Sequence, residues 1–381
     1  MSESHDSRLR RLEELGQSLW LDYIERALLV GGMMERLIRD DGISGVTSNP
    51  AIFEKAIAQH AEYDAAIAEL ARRGPDAQKN CDAQKIYEEL AVEDVRLAAD
   101  LLHGVYETSG GRDGYVSLEV SPHFAYDTVA TVAEAKRLWG RVARPNLMIK
   151  VPATRAGLPA LRQLIAAGIN VNATLLFGVV RYREVAESYI AGLEERLENG
   201  GGLDHVASVA SFFLSRIDTM VDRLLDQDNR LQARQLRGQT AIACARLAYQ
   251  EYKRLVDSAR WQALAAHGAF TQRVLWASTS TKDPAYDDVM YVEALIGPDT
   301  INTLPPETVA AYRDHGDPAL RLEEHLDETY ALSGQLAALG LDLNAVSDEL
   351  EHQGVQKFIE PYDKLLATLA QRASKLADSG G

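Results

Sequence analysis

The sequence predicts an α/β fold, a (β/α)8 TIM barrel with extra N-terminal and C-terminal helices. Two observations predict it: short apolar runs alternate along the chain with longer stretches of helical period, and the short runs number eight. Repeated alternation of this kind favours parallel βαβ units with right-handed crossovers. Eight such units indicate a closed barrel, with a doubly wound open sheet as the competing arrangement.

Each predicted strand is a short apolar run that ends at turn or loop residues. The eight runs cover residues 18–23, 43–47, 115–120, 147–151, 170–176, 205–212, 273–278 and 299–303. Short apolar runs of this kind are consistent with strands buried on both faces, as in a parallel sheet.

The segments between the strands mostly show the apolar spacing of helices. Examples are residues 132–142, 157–167, 180–199 and a long stretch at 231–258, together with an insertion at 72–104 that is mostly helical over 84–102. After the eighth strand the helical pattern continues to the end, including 348–375, so this tail must pack on the barrel or cover its mouth. We therefore predict one domain over residues 1–381, with the barrel at about 18–305 and a C-terminal helical tail at about 306–381.

The charge of the chain limits its partners. The net charge is −16, and no basic stripe offsets it, which argues against a nucleic-acid partner. Any anionic substrate must be met by local cationic groups rather than by the general field of the protein. With 381 residues, 46% of them hydrophobic, the chain can bury a sizeable core.

The N-terminus and the cysteines predict a cytoplasmic protein. Residues 1–8 are polar, so no signal peptide is visible, and apolar stretches such as 171–180 are too short to span a bilayer. Cys81 and Cys244 lie far apart without metal-ligand spacing, which fits a reducing compartment and argues against a disulfide framework. We expect no membrane partner.

Lys150 is the most informative residue of the predicted strands. It lies in the run Leu-Met-Ile-Lys-Val, which Pro152 ends, with no acidic residue within several positions. Taking an ammonium out of water without a partner favours the neutral amine. A neutral amine is what Schiff-base chemistry on a carbonyl requires. The structural alternative is a lysine that snorkels or pairs with a distant carboxylate.

Polar residues interrupt almost every predicted strand, often near its carboxyl end. In a barrel these ends converge on the face where active sites lie. The residues are Asp22, Asn49 (after Thr47 and Ser48), Glu119, Lys150, Asn172, Thr174, Ser211, Ser278 and Ser280. An amine, two carboxylates and several amides and hydroxyls around one pocket suit aldol chemistry.

Several of these residues also have structural interpretations. Asn49 suits a turn or the N-cap of the following helix. Asp22 suits a loop, Glu119 suits the polar face of a strand, and serines such as Ser211 are common at strand ends. Arg216, taken alone, suits an exposed helix. The convergence of all of them on one face is what these interpretations leave unexplained.

Eight segments match one known family in order along the chain. They are Leu-Trp-Leu-Asp-Tyr-Ile (19–24), Gly-Val-Thr-Ser-Asn-Pro-Ala-Ile-Phe (45–53), Val-Ser-Leu-Glu-Val (116–120), Met-Ile-Lys-Val-Pro-Ala-Thr (148–154), Gly-Ile-Asn-Val-Asn-Ala-Thr-Leu-Leu-Phe (168–177), Ala-Ser-Phe-Phe-Leu-Ser-Arg-Ile-Asp (210–218), Trp-Ala-Ser-Thr (276–279) and Asn-Thr-Leu-Pro-Pro (302–306). On these segments the chain resembles the transaldolases, in the longer form found in some bacteria. The resemblance covers the whole predicted barrel.

The resemblance implies a (β/α)8 barrel with the Schiff-base lysine on the fourth strand, where the strand count independently puts Lys150. By resemblance, Lys150 attacks the ketone of a ketose phosphate such as sedoheptulose 7-phosphate or fructose 6-phosphate. The C3–C4 bond then breaks, and a dihydroxyacetone unit stays on the lysine until glyceraldehyde 3-phosphate or erythrose 4-phosphate accepts it. No cofactor or metal is implied, and the partners are small sugar phosphates. The sequence leaves open whether the protein is a homo-oligomer.

The resemblance also implies roles for the residues around the lysine. Asp22 resembles the acid/base that takes and returns the C4-hydroxyl proton. Glu119, through a water held with Thr174, resembles the proton shuttle for carbinolamine dehydration and imine hydrolysis. Asn49 and Asn172 match the amides that hold the dihydroxyacetone hydroxyls.

The phosphate end contains one departure from the family pattern. Ser211 matches a ligand of a substrate hydroxyl, and Arg216 matches a phosphate-binding arginine, whose planar fork suits phosphate. Many transaldolases have a second phosphate arginine after the seventh strand, but Ser280 occupies its place here. We expect Lys282, or the hydroxyls of Ser278 and Ser280, to supply that half of the site.

Three other functions compete with a transaldolase. A fructose 6-phosphate aldolase shares the fold and the lysine but is much shorter, and typically has a tyrosine where this chain has Phe213, whose ring would exclude water from the intermediate. A catalytically silent sugar-phosphate-binding barrel predicts a lost member of the constellation, and none is lost. A metal-dependent aldolase predicts clustered histidines, and the nine histidines are scattered.

Overall fold

A computed structural model of the protein describes residues 7–72 and 83–378. Cys81 and part of the predicted insertion therefore lie outside the described residues, while Cys244 is a buried free thiol. Within the described part of the chain, none of the helices combines the length and the apolar character needed to cross a membrane.

Eight parallel strands form a closed barrel in chain order. They are β1 (Gln17–Leu21), β2 (Ile43–Val46), β3 (Tyr115–Glu119), β4 (Leu147–Pro152), β5 (Val171–Leu176), β6 (Ser208–Phe213), β7 (Arg273–Ala277) and β8 (Thr300–Leu304). Each strand pairs with the next, and β1 pairs with β8. The predicted (β/α)8 barrel is confirmed, and the alternative of an open doubly wound sheet is wrong.

Helices follow or flank every strand, with extra helices at both ends of the chain. They are α1 (Arg8–Glu14), α2 (Arg26–Val30), α3 (Met33–Asp41), α4 (Pro50–Gln59), α5 (Asp64–Arg72), α6 (Ala83–Thr108), α7 (Thr128–Val142), α8 (Gly157–Ala166), α9 (Val179–Glu198), α10 (Ser215–Leu225), α11 (Leu231–Gln235), α12 (Thr240–Val256), α13 (Ala259–Ala265), α14 (Met290–Ala294), α15 (Pro306–His315), α16 (Leu326–Ala338) and α17 (Leu343–Asp378).

The helical stretch predicted at 231–258 is mostly confirmed, but the chain breaks within it into α11 and α12. Gly238 lies at the break with φ of 70°, a left-handed conformation that glycine adopts without steric cost. Its backbone N–H donates to Asp222 at 3.0 Å, and the N–H of Ala241 donates to Asp218 at 2.8 Å. Both carboxylates belong to α10, so a tertiary contact stabilises the end of one helix and the start of the next.

Close packing inside the barrel constrains residues far from any site. A Cβ at Gly45 would lie 2.4 Å from the indole ring of Trp20, so this position requires glycine. The Trp20 indole N–H donates to Asp113 at 3.0 Å, and Asp113 also forms an ion pair with Arg273 at 2.9 Å. Asp113 precedes β3 and Arg273 begins β7, so this ion pair lies at the end of the barrel opposite the carboxyl ends of the strands.

The C-terminal helix α17 packs on the barrel and on its insertion. It contacts α4, α5, α6, α10 and β5. Several ion pairs attach it, among them Lys364 with Glu54 of α4 at 2.8 Å, Arg372 with Asp64 of α5 at 2.5 Å, and Glu351 with Arg181 of α9 at 3.3 Å. The tail therefore covers part of the face on which the strands end.

Candidate active site

A cavity of about 430 Å³ opens where the carboxyl ends of the strands meet, and we call it the barrel cavity. Nine of the predicted site residues line it: Asp22, Asn49, Lys150, Ser211, Phe213, Arg216, Ser278, Ser280 and Lys282. The other three, Glu119, Asn172 and Thr174, do not line it and are buried in the strands around Lys150. A larger cavity of about 520 Å³ beside α16 is mostly apolar in its lining and holds none of the predicted residues.

The strand register places three of the functional side chains in one row. Glu119 of β3 is opposite Lys150 of β4, which is opposite Asn172 of β5. Side chains of neighbouring strands at the same level point to the same face. The carboxyl, the amine and the amide therefore lie side by side.

Lys150 is 4% exposed and forms no ion pair with any described residue. Its Nζ donates a hydrogen bond to the carbonyl oxygen of Ser48 at 3.1 Å and lies 5.9 Å from the ring centroid of Phe358. The amine is therefore held in place by one backbone acceptor and an aromatic ring, while it still faces the barrel cavity.

Glu119 is buried without a hydrogen-bond partner. Neither of its carboxylate oxygens, nor Oγ1 of Thr174, has a partner among the residues the structure describes. Burial raises the pKa of Glu119 to about 8, although the positive charge of Lys150 opposes the shift, and the negative charge of Asp22 adds to it. A carboxyl with such a pKa can both give and take a proton near neutrality.

Asp22 directly follows β1 and is the second carboxylate of the site. Its Oδ1 accepts a hydrogen bond of 2.7 Å from Thr47, whose hydroxyl also lies 2.7 Å from that of Thr303. Burial raises the pKa of Asp22, although the charge of Lys150 and the hydrogen bond from Thr47 oppose the shift. The side chain therefore has a fixed orientation and an elevated proton affinity.

The two amides differ in how much of their hydrogen-bonding capacity the protein uses. Asn172 is fully buried; its Nδ2 donates to Ser117 at 3.0 Å, and its Oδ1 accepts from Ser211 at 2.6 Å. Asn49 is the N-cap of α4 and accepts from the N–H of Ile52 at 3.0 Å. The cap interpretation of Asn49 is confirmed, and the same residue also lines the barrel cavity.

Cationic and hydroxyl groups gather on another side of the barrel cavity. The guanidinium carbon of Arg216 lies 5.6 Å from the ring centroid of Phe213, and its Nη1 is buried without a partner among the described residues. Burial lowers the pKa of Arg216. Lys282 donates to the hydroxyl of Ser280 at 2.6 Å, and the hydroxyl of Ser278 lies 2.9 Å from that of Ser215.

Several wall residues escaped the sequence analysis. Lys55 of α4, Lys357 and Phe358 of α17, and Glu307 of α15 all line the barrel cavity. Lysines on exposed helices give no local signal of function, so no pattern in the sequence points to Lys55 or Lys357. Thr47 belonged to a noted polar run, and its bond to Asp22 is what the structure adds.

Two groups of side chains in the described part of the chain have the geometry to hold a metal ion. They are Glu25, His60 and Glu62, and Asp287, Asp288 and His315. None of these residues lines the barrel cavity.

The comparisons with known proteins agree with this geometry. Residues 19–369 match the family described as Transaldolase/Fructose-6-phosphate aldolase. Transaldolase 2 of Nostoc sp. (strain PCC 7120) is 49% identical over 97% of this chain and 99% of its own length. The transaldolase of Trichodesmium erythraeum is 47% identical over 97% of this chain and 98% of its own length. The transaldolase of Mycobacterium leprae is 44% identical over 99% of this chain and 99% of its own length.

Both the family match and the relatives extend over almost the whole chain, so they include the barrel, the insertion and most of the C-terminal tail. The function shown for the chain is that of a transaldolase, a transferase of the pentose phosphate pathway. The chain therefore belongs to the transaldolases, in their long form.

Proposed function

We propose that the protein transfers a dihydroxyacetone unit from sedoheptulose 7-phosphate to glyceraldehyde 3-phosphate, giving erythrose 4-phosphate and fructose 6-phosphate, through a Schiff base on Lys150. The observation that carries this proposal is the setting of Lys150. The amine is 4% exposed, forms no ion pair with a described residue, faces the barrel cavity and has Glu119 opposite it in the strand register.

Formation of the Schiff base requires a proton for the departing water. The neutral amine of Lys150 adds to the C2 carbonyl of the ketose, which gives a carbinolamine. Glu119 then gives a proton to the carbinolamine hydroxyl, water leaves, and an iminium ion remains. We infer that a water between Glu119 and Thr174 carries this proton, because buried polar atoms of both residues are without protein partners.

Cleavage of the carbon–carbon bond requires a base at the C4 hydroxyl. Asp22 takes that proton as the C3–C4 bond breaks, and the bonding electrons move into the iminium to give an enamine on Lys150. Erythrose 4-phosphate leaves. Glyceraldehyde 3-phosphate then accepts the enamine carbon at its aldehyde, Asp22 returns the proton, and hydrolysis of the new iminium releases fructose 6-phosphate.

The remaining wall residues suit substrate binding. We assign Asn49, Asn172 and Ser211 to the hydroxyls of the dihydroxyacetone unit, since all three lie around Lys150. Their amide and hydroxyl groups offer both donors and acceptors. The amide nitrogen and the amide oxygen of Asn172 both form hydrogen bonds within the protein, which fixes the orientation of the side chain. A fixed orientation suits a residue that must hold one geometry throughout the catalytic cycle.

The phosphate group belongs at the cationic side of the barrel cavity. We assign it to Arg216, with Lys282, Ser278 and Ser280 in place of the second arginine found in many transaldolases. The buried and unpartnered Nη1 of Arg216 supports this assignment, because a buried guanidinium N–H without an acceptor is costly unless a ligand supplies one.

Transfer, rather than release of free dihydroxyacetone, is supported by Phe213. This ring is buried, packs 5.3 Å from the ring centroid of Phe177, and forms part of the cavity wall. A phenyl ring offers no hydroxyl to activate water, so the enamine persists until an aldose phosphate arrives.

A coupled assay tests the proposed reaction. Sedoheptulose 7-phosphate and glyceraldehyde 3-phosphate are supplied without cofactor and with EDTA, and erythrose 4-phosphate, fructose 6-phosphate and free dihydroxyacetone are all measured. We expect transfer to exceed release of dihydroxyacetone. Release as fast as transfer would support the fructose 6-phosphate aldolase instead, and no turnover of either kind would support a silent sugar-phosphate-binding barrel.

We further infer that the protein acts in the cytoplasm, on small sugar phosphates and without a nucleic-acid or membrane partner. We propose that the barrel and its C-terminal helices form one domain, which the packing of α17 on α4, α5 and α6 supports. Cell fractionation tests the location, and light scattering measures the oligomeric state, which is left open.

A further inference from the structure

Cationic side chains are concentrated at one place in an acidic protein. The net charge of the chain is −16, yet Lys55, Arg216, Lys282 and Lys357 all line the barrel cavity. They come from α4, α10, the segment after β7, and α17, so no single element accounts for them. Separate elements that bring like charges together indicate a site for an anion.

Lys357 and Arg216 line the same cavity, on two helices that pack against each other. Burial lowers the pKa of Lys357, and Arg216 is the charged group that adds most to this shift, while Glu360 opposes it. The Nη1 atom of Arg216 has no hydrogen-bond partner among the described residues. Two neighbouring cations repel each other, and a bound dianion removes that cost.

The position of Lys357 on α17 fixes its place in the cavity wall. The helix packs against α10, which carries Arg216, and the ion pair of Lys364 with Glu54 holds the next turns of α17 on α4. The residue after Lys357 is Phe358, whose ring faces the amine of Lys150. One turn of α17 therefore contacts both the reactive end and the cationic side of the barrel cavity.

Lys282 is less free to bind an anion than Lys357. Its ammonium already donates to Ser280, and Glu307, the nearby carboxylate that most opposes the lowering of its pKa, lines the barrel cavity as well. An anion near Lys282 would therefore meet a negative charge. The corresponding acid for Lys357, Glu360, is not part of the cavity wall.

We propose that Lys357 is a phosphate ligand that faces Arg216 across the barrel cavity, so that the C-terminal helix sets the preference of the enzyme for phosphorylated sugars. The inference rests on the proposed function, because it assigns the phosphate of the same substrates. It also makes α17 a part of the active site rather than a cover for it.

Comparison of two acceptors tests the role of Lys357. With sedoheptulose 7-phosphate as donor, kcat/KM is measured for glyceraldehyde 3-phosphate and for unphosphorylated glyceraldehyde, which give fructose 6-phosphate and fructose as products. In a ping-pong reaction the kcat/KM of the acceptor reports its own half-reaction. The Lys357→Met variant should lose about tenfold or more in kcat/KM for the phosphorylated acceptor, since a charge-assisted hydrogen bond is lost, and should keep its value for glyceraldehyde.

Two matched variants control for charge and for position. Lys357→Arg keeps the cation and should retain most of the preference. Lys375→Met removes the same charge from the same helix outside the barrel cavity and should behave as the wild type. An equal loss for both acceptors in Lys357→Met would show a structural role for the residue, and wild-type kcat/KM values for both acceptors would show no role; either result overturns the proposal.

Two further measurements separate this proposal from the proposed function. Borohydride trapping of wild-type protein with fructose 6-phosphate reports Schiff-base chemistry and does not depend on the Lys357 variants. Calorimetric titration with inorganic phosphate needs no turnover, and its affinity should fall about tenfold in Lys357→Met. If the wild type traps normally and Lys357→Met binds phosphate with the affinity of the wild type, only the role of Lys357 is overturned.

Discussion

Glu119 lies opposite Lys150 in the register of β3 and β4, and both side chains are buried. The pair places a carboxyl whose pKa is raised to about 8 beside the amine that would attack a ketone. Neither group forms an ion pair among the residues described. The backbone carbonyl of Ser48 holds the amine in place, and neither group is neutralised by an ion pair with a described residue, so both remain available for proton transfer.

Replacement of Glu119 should slow both formation and hydrolysis of the Schiff base. We expect Glu119→Gln to lower kcat by a factor between about 100 and 10,000, the range for loss of a general acid–base, while the similar shape of glutamine preserves the fold. Stopped-flow kinetics would show slow build-up of the adduct. Wild-type rates of both steps in this variant would contradict the assigned role.

The same carboxyl should make stability depend on pH. Its pKa rises from an ordinary value of 4.5 to about 8 on folding, so between these pH values the folded state holds a proton that the unfolded chain has lost. Stability from this group is therefore full below about pH 4.5 and is lost as the pH rises toward 8. Denaturant unfolding measures the free energy of unfolding at pH 6 and at pH 8. This free energy should fall less between the two pH values in Glu119→Gln than in the wild type. An equal fall in both proteins would contradict the raised pKa of Glu119.

Replacement of Asp22 should block cleavage without blocking capture of the ketose. Asparagine can still accept the hydrogen bond from Thr47 but cannot take a proton, so Asp22→Asn should lower kcat by a factor of about 100 or more. Mass spectrometry after borohydride treatment with fructose 6-phosphate should then find the intact six-carbon adduct on the protein. A three-carbon adduct formed at the wild-type rate would contradict the role of Asp22.

A hydroxyl at position 213 should shift the reaction from transfer toward hydrolysis. We expect Phe213→Tyr to release free dihydroxyacetone several-fold faster than the wild type, because the phenol can hold a water near the enamine. Phe177→Tyr is the matched control, since that ring packs against Phe213 but does not line the barrel cavity. Equal release of dihydroxyacetone by both variants would contradict the specific role of position 213 in excluding water.

If the C-terminal tail and the barrel form one domain, a destabilising substitution in α17 should also destabilise the barrel. Leu365 of α17 is fully buried, so Leu365→Ala should cost about 2–5 kcal/mol. All four tryptophans, at positions 20, 139, 261 and 276, lie outside α17, and their fluorescence midpoint in denaturant should fall. Leu320→Ala, at a position 55% exposed, should change little. An unchanged midpoint in Leu365→Ala would indicate separate domains.

The barrel and most of the site were predictable because their signals are local. Each strand is a short apolar run, and Lys150 is conspicuous within one. The carboxyl ends of parallel strands meet on one face in any barrel, so residues as distant as Asp22 and Ser278 could be grouped without knowledge of their distances.

What the sequence did not reveal depends on tertiary contacts. The break between α11 and α12 is stabilised by two carboxylates of α10, which no local pattern indicates. Lys357 and Phe358 belong to the cavity only because α17 docks over it, and along the chain they resemble ordinary residues of an amphipathic helix. The sequence therefore predicted only part of the cationic side of the cavity, because the contribution of α17 depends on how this helix packs.

The most direct test of the Schiff-base mechanism is to locate the covalent adduct. The protein is incubated with fructose 6-phosphate, reduced with borohydride, digested and analysed by peptide mass spectrometry, with Lys150→Ala and Lys136→Ala beside the wild type. We predict a dihydroxyacetone adduct on Lys150 in the wild type and in Lys136→Ala, and none in Lys150→Ala, which should also be inactive. An adduct on another lysine, or full activity in Lys150→Ala, would contradict the mechanism.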